Sequence, residues 1–489
     1  TEFHESTLLR ERKSLLRGDG STMYDVSSWN LTMLHGLDAL MVPSHMSAKL
    51  RPYQAPKEAG GLVDLEHAIA YIVDGANDKS LGFAARAMEQ GLNVRVVDKD
   101  AIFDGHAFSR GSVVVYRNDN RPVDNELSRI VNELSKDLAV DIQAITSGTG
   151  LHDLPDIGGR HLRLLELPRI ALASRGHVNP LDFGSIWYSI DRYLGLRHSH
   201  LDLNQLQHFD LRRYNVLVLP DVWEDTLTED EFEVLTDWVE AGGTLIGIKA
   251  AAEALANAER EFTEVRLMED TRSNRDEFDF ELRKEFLSQQ THLDNLAQTW
   301  SNLAPLKVSY PWPKKSDSES EAELEKKDEW QSLFAPYGAT LAGRTDQDHW
   351  LSFGAQAVLP IQVGSGPVLM SESNSEAVVR LGVYQKHAKT SRSVEAGKSK
   401  KGASAPKVGW SSLPEQHNLR LRMSGLLWPE AAQRLANTAY LTRESKGNGQ
   451  IILFANSPTF RASNLGTTRL FLNALVYGPG LGTEVALDL

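Results

Sequence analysis

The residue whose position could do chemistry is a lysine. Lys249 stands in Gly247-Ile248-Lys249-Ala250-Ala251, directly after the apolar run Thr244–Ile248 and directly before the small-residue run 250–256. An ammonium at the end of a buried strand and beside a helix N-terminus loses proton affinity when it is desolvated, and could then serve as a base or a Schiff-base amine. It cannot perform thiolate acyl chemistry. A second grouping is His198 and His200, which alternate along an extended segment and so share a face, with Asp202 and His208 nearby. Two imidazoles without a well-spaced third ligand fall short of a zinc site, and a polar solvent-facing strand accounts for them equally. None of the 15 histidines is followed by Glu at the third position, so no His-x-x-Glu pair of zinc ligands is present. With 0 cysteines the chain also lacks disulfides, thiolate metal ligands and any cysteine nucleophile.

These groups must be held by the elements around them, and the stretch 214–255 is the most legible. Residues 215–219 are a short branched apolar run bounded by Pro220, as expected for a strand buried on both faces. A helix over 228–240 opens on a Thr cap with acids in its first turn, and Phe232, Leu235, Trp238 and Val239 recur at helical spacing. Gly242-Gly243 ends it, and a second buried strand runs into the helix that Lys249 begins. This pattern resembles the core of the class I glutamine amidotransferase-like fold. There a turn of the form Gly-Ile-Cys-Ala-Gly carries the nucleophile, so Lys249 occupies the place of the thiol. Near the C-terminus the apolar run Gly449–Phe454 is followed by Ser457-Pro458-Thr459, where those enzymes have His-Pro-Glu. Only the proline remains. The resemblance implies an α/β chain with a flavodoxin-like, glutamine amidotransferase-like parallel sheet, helices on both faces, and a vacated catalytic centre. Its pocket rim would comprise Arg175, His177, Trp187, Asp221, Trp223, Lys249, Glu253, Ser457 and Arg461 as ligand-binding candidates, with no catalytic residue. Each has a plainer reading too: turn geometry and packing, Trp223 closing a strand end, Arg461 pairing with a carboxylate.

Taken in order, residues 1–55 are expected to be an extension trailing a preceding unit. Tyr24-Asp25-Val26-Ser27-Ser28-Trp29-Asn30-Leu31 resembles a Tyr-Asp-Val-Ser-Ala-Trp-Thr-Leu-Pro stretch in large secreted bacterial zinc carboxypeptidases of the carboxypeptidase A-like family, where it lies after the peptidase domain. Patches over 169–221, 242–251, 348–354 and 423–478 resemble the same proteins in the same order. The resemblance implies that this chain is their non-peptidase region, exported to the periplasm or secreted, with zinc only in a peptidase domain outside it and no cofactor of its own. Residues 56–150 form a small α/β domain with strands near 70–73, 93–97 and 111–116 and helices over 80–89 and 126–138. The Gly/Pro/Asp-rich stretch 146–159 reads as a linker. The amidotransferase-like domain then fills 160–489, its aromatic helix over 183–194 facing inward, interrupted by insertions at about 257–347 and 386–410. A helix is expected over 275–300, a break at Pro311-Trp312-Pro313, and charged loops at 314–327 and 386–407. Residues 358–363 and 367–370 read as paired strands, 418–424 as one strand, 438–443 and 450–454 as a hairpin, and 467–477 as a final helix.

A formal net charge of −14 argues against a nucleic-acid partner. No apolar run approaches the roughly 18 residues that span a bilayer. A cleft with aromatics and both charge signs suits a peptide, a cell-wall fragment or a glycan. The favoured expectation is a non-catalytic binding or scaffolding region beside an upstream peptidase domain. The alternative is a hydrolase or transferase rebuilt around Lys249 or His177.

Overall fold

In a computed structural model, described over residues 2–17, 30–37, 39–40, 54, 60–63, 67–223, 227–268, 336, 338–372, 374–386, 407–408, 411–414 and 416–484, two sheets share one core. The expected helix over 275–300, the break at 311–313, the charged loops over 314–327 and 387–406, and the stretch 24–29 lie outside the described residues. The opening helix α1 (Glu2–Arg17) is tied down by Arg12, whose guanidinium makes a two-pronged bond to buried Glu430 and lies 5.4 Å from the Trp428 ring.

The smaller sheet contains β1 (Leu62–Val63), β2 (Ala70–Val73), β3 (Arg95–Val97), β4 (Val113–Tyr116), β5 (Ile142–Ile145) and β6 (Leu162–Leu164), in the spatial order β1-β5-β2-β4-β3-β6. It carries α2 (Ser80–Glu89) and α3 (Asp124–Leu138). Leu127, Val131 and Leu134 are buried on one face of α3 as their spacing requires, whereas α2 is buried almost all round. The Gly/Pro/Asp-rich stretch 146–159 is not a boundary between sheets. It joins β5 to β6, two strands of the same sheet, because its turn residues serve a crossover equally well.

Among the described residues the larger sheet has 12 strands and begins with β7 (Ile170–Arg175), β8 (His198–Asp202), β9 (Val216–Leu219) and β10 (Thr244–Ile248). It continues with β11 (Ala339–Thr345), β12 (Val358–Val363), β13 (Glu376–Leu381), β14 (Ala439–Lys446) and β15 (Gly449–Phe454). The main path runs β8-β7-β9-β10-β15-β14-β13-β11-β12. The first five are parallel and the remaining pairings antiparallel, so the sheet is mixed rather than parallel throughout. The reason is the short turn after β14: a four-residue Lys446-Gly447-Asn448-Gly449 hairpin returns the chain antiparallel and opens a second half-sheet.

Helices cover both faces of the parallel block. On one side lie α4 (Pro180–Ser189) and the long buried helix α8 (Leu465–Leu481), which follows the short α7 (Pro429–Leu435) in the chain; on the other lie α5 (Glu229–Glu240) and α6 (Ala250–Leu255). Helix α5 starts with a complete Thr228/Glu231 capping box and buries Phe232, Leu235, Trp238 and Val239. Helix α8 packs on the larger sheet, the Phe471 ring lying 6.4 Å from that of Phe454. Three local expectations change. Trp187 and Tyr188 on α4 face outward, since its buried stripe is Asp182, Ser185, Ile186 and Ser189. Strand β12 pairs with β11, while Leu369–Met370 pairs with Arg266–Leu267 and with β14. The stretch 418–424 divides into strands His417–Arg420 and Arg422–Ser424 with different partners. In each case the sequence marks the strand, and distant partners decide its pairing.

Candidate functional site

Numbered by chain order, the parallel strands lie 2-1-3-4-5, so the winding reverses between β7 and β9. Open α/β sheets bind ligands outside the carboxyl ends of their strands at such a reversal. The loops leaving β7 and β9 are stitched together here by a bridge between Val178 and Val222. The Trp223 amide donates to the His177 carbonyl (2.9 Å) and the Asn179 amide to the Asp221 carbonyl (2.8 Å). His177 is exposed at φ 57°, and Trp223 is 67% exposed.

The turn that presents Lys249 is tight. A Cβ on Gly247 would come within 2.7 Å of Leu255 Cδ1 and 3.1 Å of Leu453 Cδ2, so glycine permits α6 to pack this closely on the strands. Lys249 itself lies at φ 54°, ψ −118°, a conformation costly for any residue with a side chain. Its amide is fixed by the Phe454 carbonyl at 2.9 Å. Its ammonium forms an ion pair with buried Asp221. The same carboxylate accepts from Asn179 Nδ2 at 3.0 Å and from the Ala250 amide at 3.3 Å.

Behind this pair sits Asp182, in the first turn of α4 and 7% exposed. One of its oxygens takes the Asp221 amide at 3.0 Å and the other the Ser457 hydroxyl. Burial pushes the Asp182 carboxyl above the usual carboxylate range, with the Ser457 hydroxyl pulling the other way. The Ser185 and Thr459 hydroxyls meet at 2.9 Å beside it. The structure therefore brings Asp221, Lys249 and Ser457 into one network through Asp182. Asn179 and Asp182 were not among the sequence candidates, because an acid in a helix's first turn looks like an ordinary capping preference.

Arg175 and Trp187 belong elsewhere. Arg175 lines a cleft of about 540 Å³ beside the edge strand β8, with Ser174, Phe183, His200, Asp202, Gln205 and Phe209. Trp187, 44% exposed, stands edge-on to His200 at 6.1 Å. Glu253 is exposed on α6, and exposed Arg461 lays its guanidinium 5.1 Å from its neighbour Phe460. The His198 and His200 rings share a face as expected, 5.0 Å apart. Among the described residues no group of three or more His, Asp or Glu side chains could hold a metal. Nor is any helix among them long and apolar enough to cross a membrane.

No family model matches the chain. No curated protein matches it either. Among solved structures it is similar to a beta-galactosidase from Bacillus circulans sp. alkalophilus at 12% identity and a TM-score of 0.30, covering 72% of this chain and 35% of that one. The chain thus spans about a third of that enzyme's length. A putative ThuA-like protein from Bacteroides uniformis is similar at 9% identity and a TM-score of 0.28, covering 63% of this chain and 91% of that one. A cytoplasmic protein from Salmonella typhimurium is similar at 10% identity and a TM-score of 0.28, covering 64% and 100%.

Proposed function

We propose that this chain is a ligand-binding and scaffolding region that performs no catalysis of its own. Its parallel block is a degenerate class I glutamine amidotransferase-like domain in flavodoxin-like strand order. The observation that carries this reading is the Lys249–Asp221 ion pair at the elbow turn. The strained backbone that would present a nucleophile is kept, yet the side chain it presents is engaged by a buried carboxylate. Ser457, in the loop where the base would stand, donates to Asp182. Such an arrangement stiffens the elbow turn without supplying a nucleophile, base and orienter in sequence.

The sequence resemblance to secreted zinc carboxypeptidases supports the wider setting. In it, the chain accompanies a zinc-bearing peptidase domain in the periplasm or outside the cell, and its cleft takes a peptide, a cell-wall fragment or a glycan. The pairing of Lys249 with Asp221 weighs against the rebuilt hydrolase, since a Schiff-base amine must leave its counter-ion and shed a proton. The test is the metal content of the purified chain, together with hydrolysis of C-terminally free and blocked peptides and of glutamine. The expected result is no bound zinc and no turnover. Stoichiometric zinc, or turnover abolished by Lys249→Ala, would overturn the proposal.

A further inference from the structure

The cleft beside β8 contains two opposite charges that do not meet. Arg175 and Asp202 are register partners on neighbouring parallel strands, at the carboxyl ends where the chain leaves the sheet. Neighbouring strands lie about 4.8 Å apart, near enough for these side chains to reach each other. No ion pair joins them. Asp202 Oδ1 accepts the Asn204 amide at 3.2 Å, and Arg175 has no hydrogen-bond or ion-pair partner among the described residues. A guanidinium left open in a concavity is a receptor for a carboxylate, and a neighbouring carboxylate is a receptor for an ammonium.

The remaining walls are rings. Phe183 and Phe209 line the cleft, and the His200 ring stands edge-on to Phe183 at 5.3 Å and 82°. Phe183 in turn stacks on Trp187, with centroids 6.2 Å apart and planes 27° apart. Burial and the neighbouring His198 push the His200 imidazole below its ordinary value, so at neutral pH this wall adds no third charge. Ser174 and Gln205 add neutral polar groups. We propose that this cleft binds a free α-amino acid with an aromatic side chain, its carboxylate on Arg175, its ammonium on Asp202 and its ring against Phe183, Phe209 and His200.

The spacing selects the class. Two receptors on adjacent strands suit charges borne by a single carbon, whereas a peptide carries its terminal charges farther apart. A cleft of about 540 Å³ holds such a molecule with room for water. The inference rests on the binding role proposed above, and the two fail separately. Zinc or turnover would remove that role, whereas the inference is decided by binding to the metal-free, inactive chain.

The experiment is calorimetric titration of the full chain with L-phenylalanine and L-tryptophan, then with N-acetyl-L-phenylalanine, L-phenylalaninamide and L-phenylalanyl-L-phenylalanine. The free amino acids should bind saturably, and blocking either charge should weaken binding at least tenfold. In Arg175→Gln the amide should bind as well as the acid. In Asp202→Asn, which keeps an oxygen for the Asn204 amide, the N-acetyl compound should bind as well as the free amine. Near-UV circular dichroism checks that both variants are folded. No saturable binding up to the solubility limit would overturn the inference. So would blocked compounds binding as well as the free amino acid, or both folded variants retaining wild-type discrimination.

Discussion

Asp182 shows how far one side chain's environment can set its chemistry. Its oxygens accept from the Asp221 amide and the Ser457 hydroxyl, which favours the charged form, while its burial favours the neutral one and prevails. A carboxyl raised in the folded state binds a proton there that the unfolded chain, with a carboxyl near about 3.9, has already released. Its contribution to stability is therefore complete below that unfolded value and is lost as pH rises through the folded one. Asp182→Asn removes this titration. Thermal midpoints measured from acid to neutral pH should show the variant gaining on the wild type as pH rises across that window. A constant difference between the two proteins would show that Asp182 titrates alike in both states.

At the scale of elements, helix α8 connects what the sequence presents as separate units. Arg469 is buried on it and donates to the Phe353 carbonyl at 3.1 Å, the Gly75 carbonyl at 3.0 Å and the Asn77 carbonyl at 3.1 Å. The turn between β2 and α2, which looks like an ordinary strand-to-helix turn, is thus gripped from the far end of the chain. Arg469→Ala takes the donor from the Gly75 carbonyl, while the Phe353 and Asn77 carbonyls keep Asn473 Nδ2 and the Ser80 amide, and it should destabilise the protein by about 2–3 kcal/mol in denaturant unfolding. Arg469→Lys should recover part of the loss, and an effect below about 1 kcal/mol would mean that water replaces the guanidinium. The contrast with α5 and α6 explains what sequence could tell. The Thr cap, apolar spacing and Gly-Gly stop of α5 and the small-residue run of α6 are local signals, so both helices and the elbow stand where the residues place them. Arg469 has no local signal, because a cation in a helix is usually solvent-facing. The same holds for the antiparallel half-sheet, whose strands find partners far along the chain.

For the whole molecule, these contacts decide whether the chain unfolds in one step or two. Read along the sequence, residues 56–150 and 160–489 are two domains that could melt independently. Yet one continuous core takes in Tyr71, Leu81, Val113 and Leu127 from the smaller sheet, and Leu172, Tyr440, Phe454 and Leu470 from the larger sheet and its helix. Tyr477 on α8 donates its hydroxyl to the Gly111 carbonyl at 3.1 Å, and its phenol is pushed up to about 12 by burial. Helix α2 is buried nearly all round because the larger unit covers the face that a free-standing domain would expose. Opening this seam would expose apolar surface on both sides together with the donors of Arg469 and Tyr477, so neither unit should survive loss of the other. Scanning calorimetry of the full chain should therefore give a single transition whose calorimetric and van't Hoff enthalpies agree. Weakening the seam with Arg469→Ala should broaden or split it. Two resolved transitions in the wild type would mean that the shared core is an interface between independently stable domains. The cleft beside β8 would then have to keep its shape from the larger unit alone.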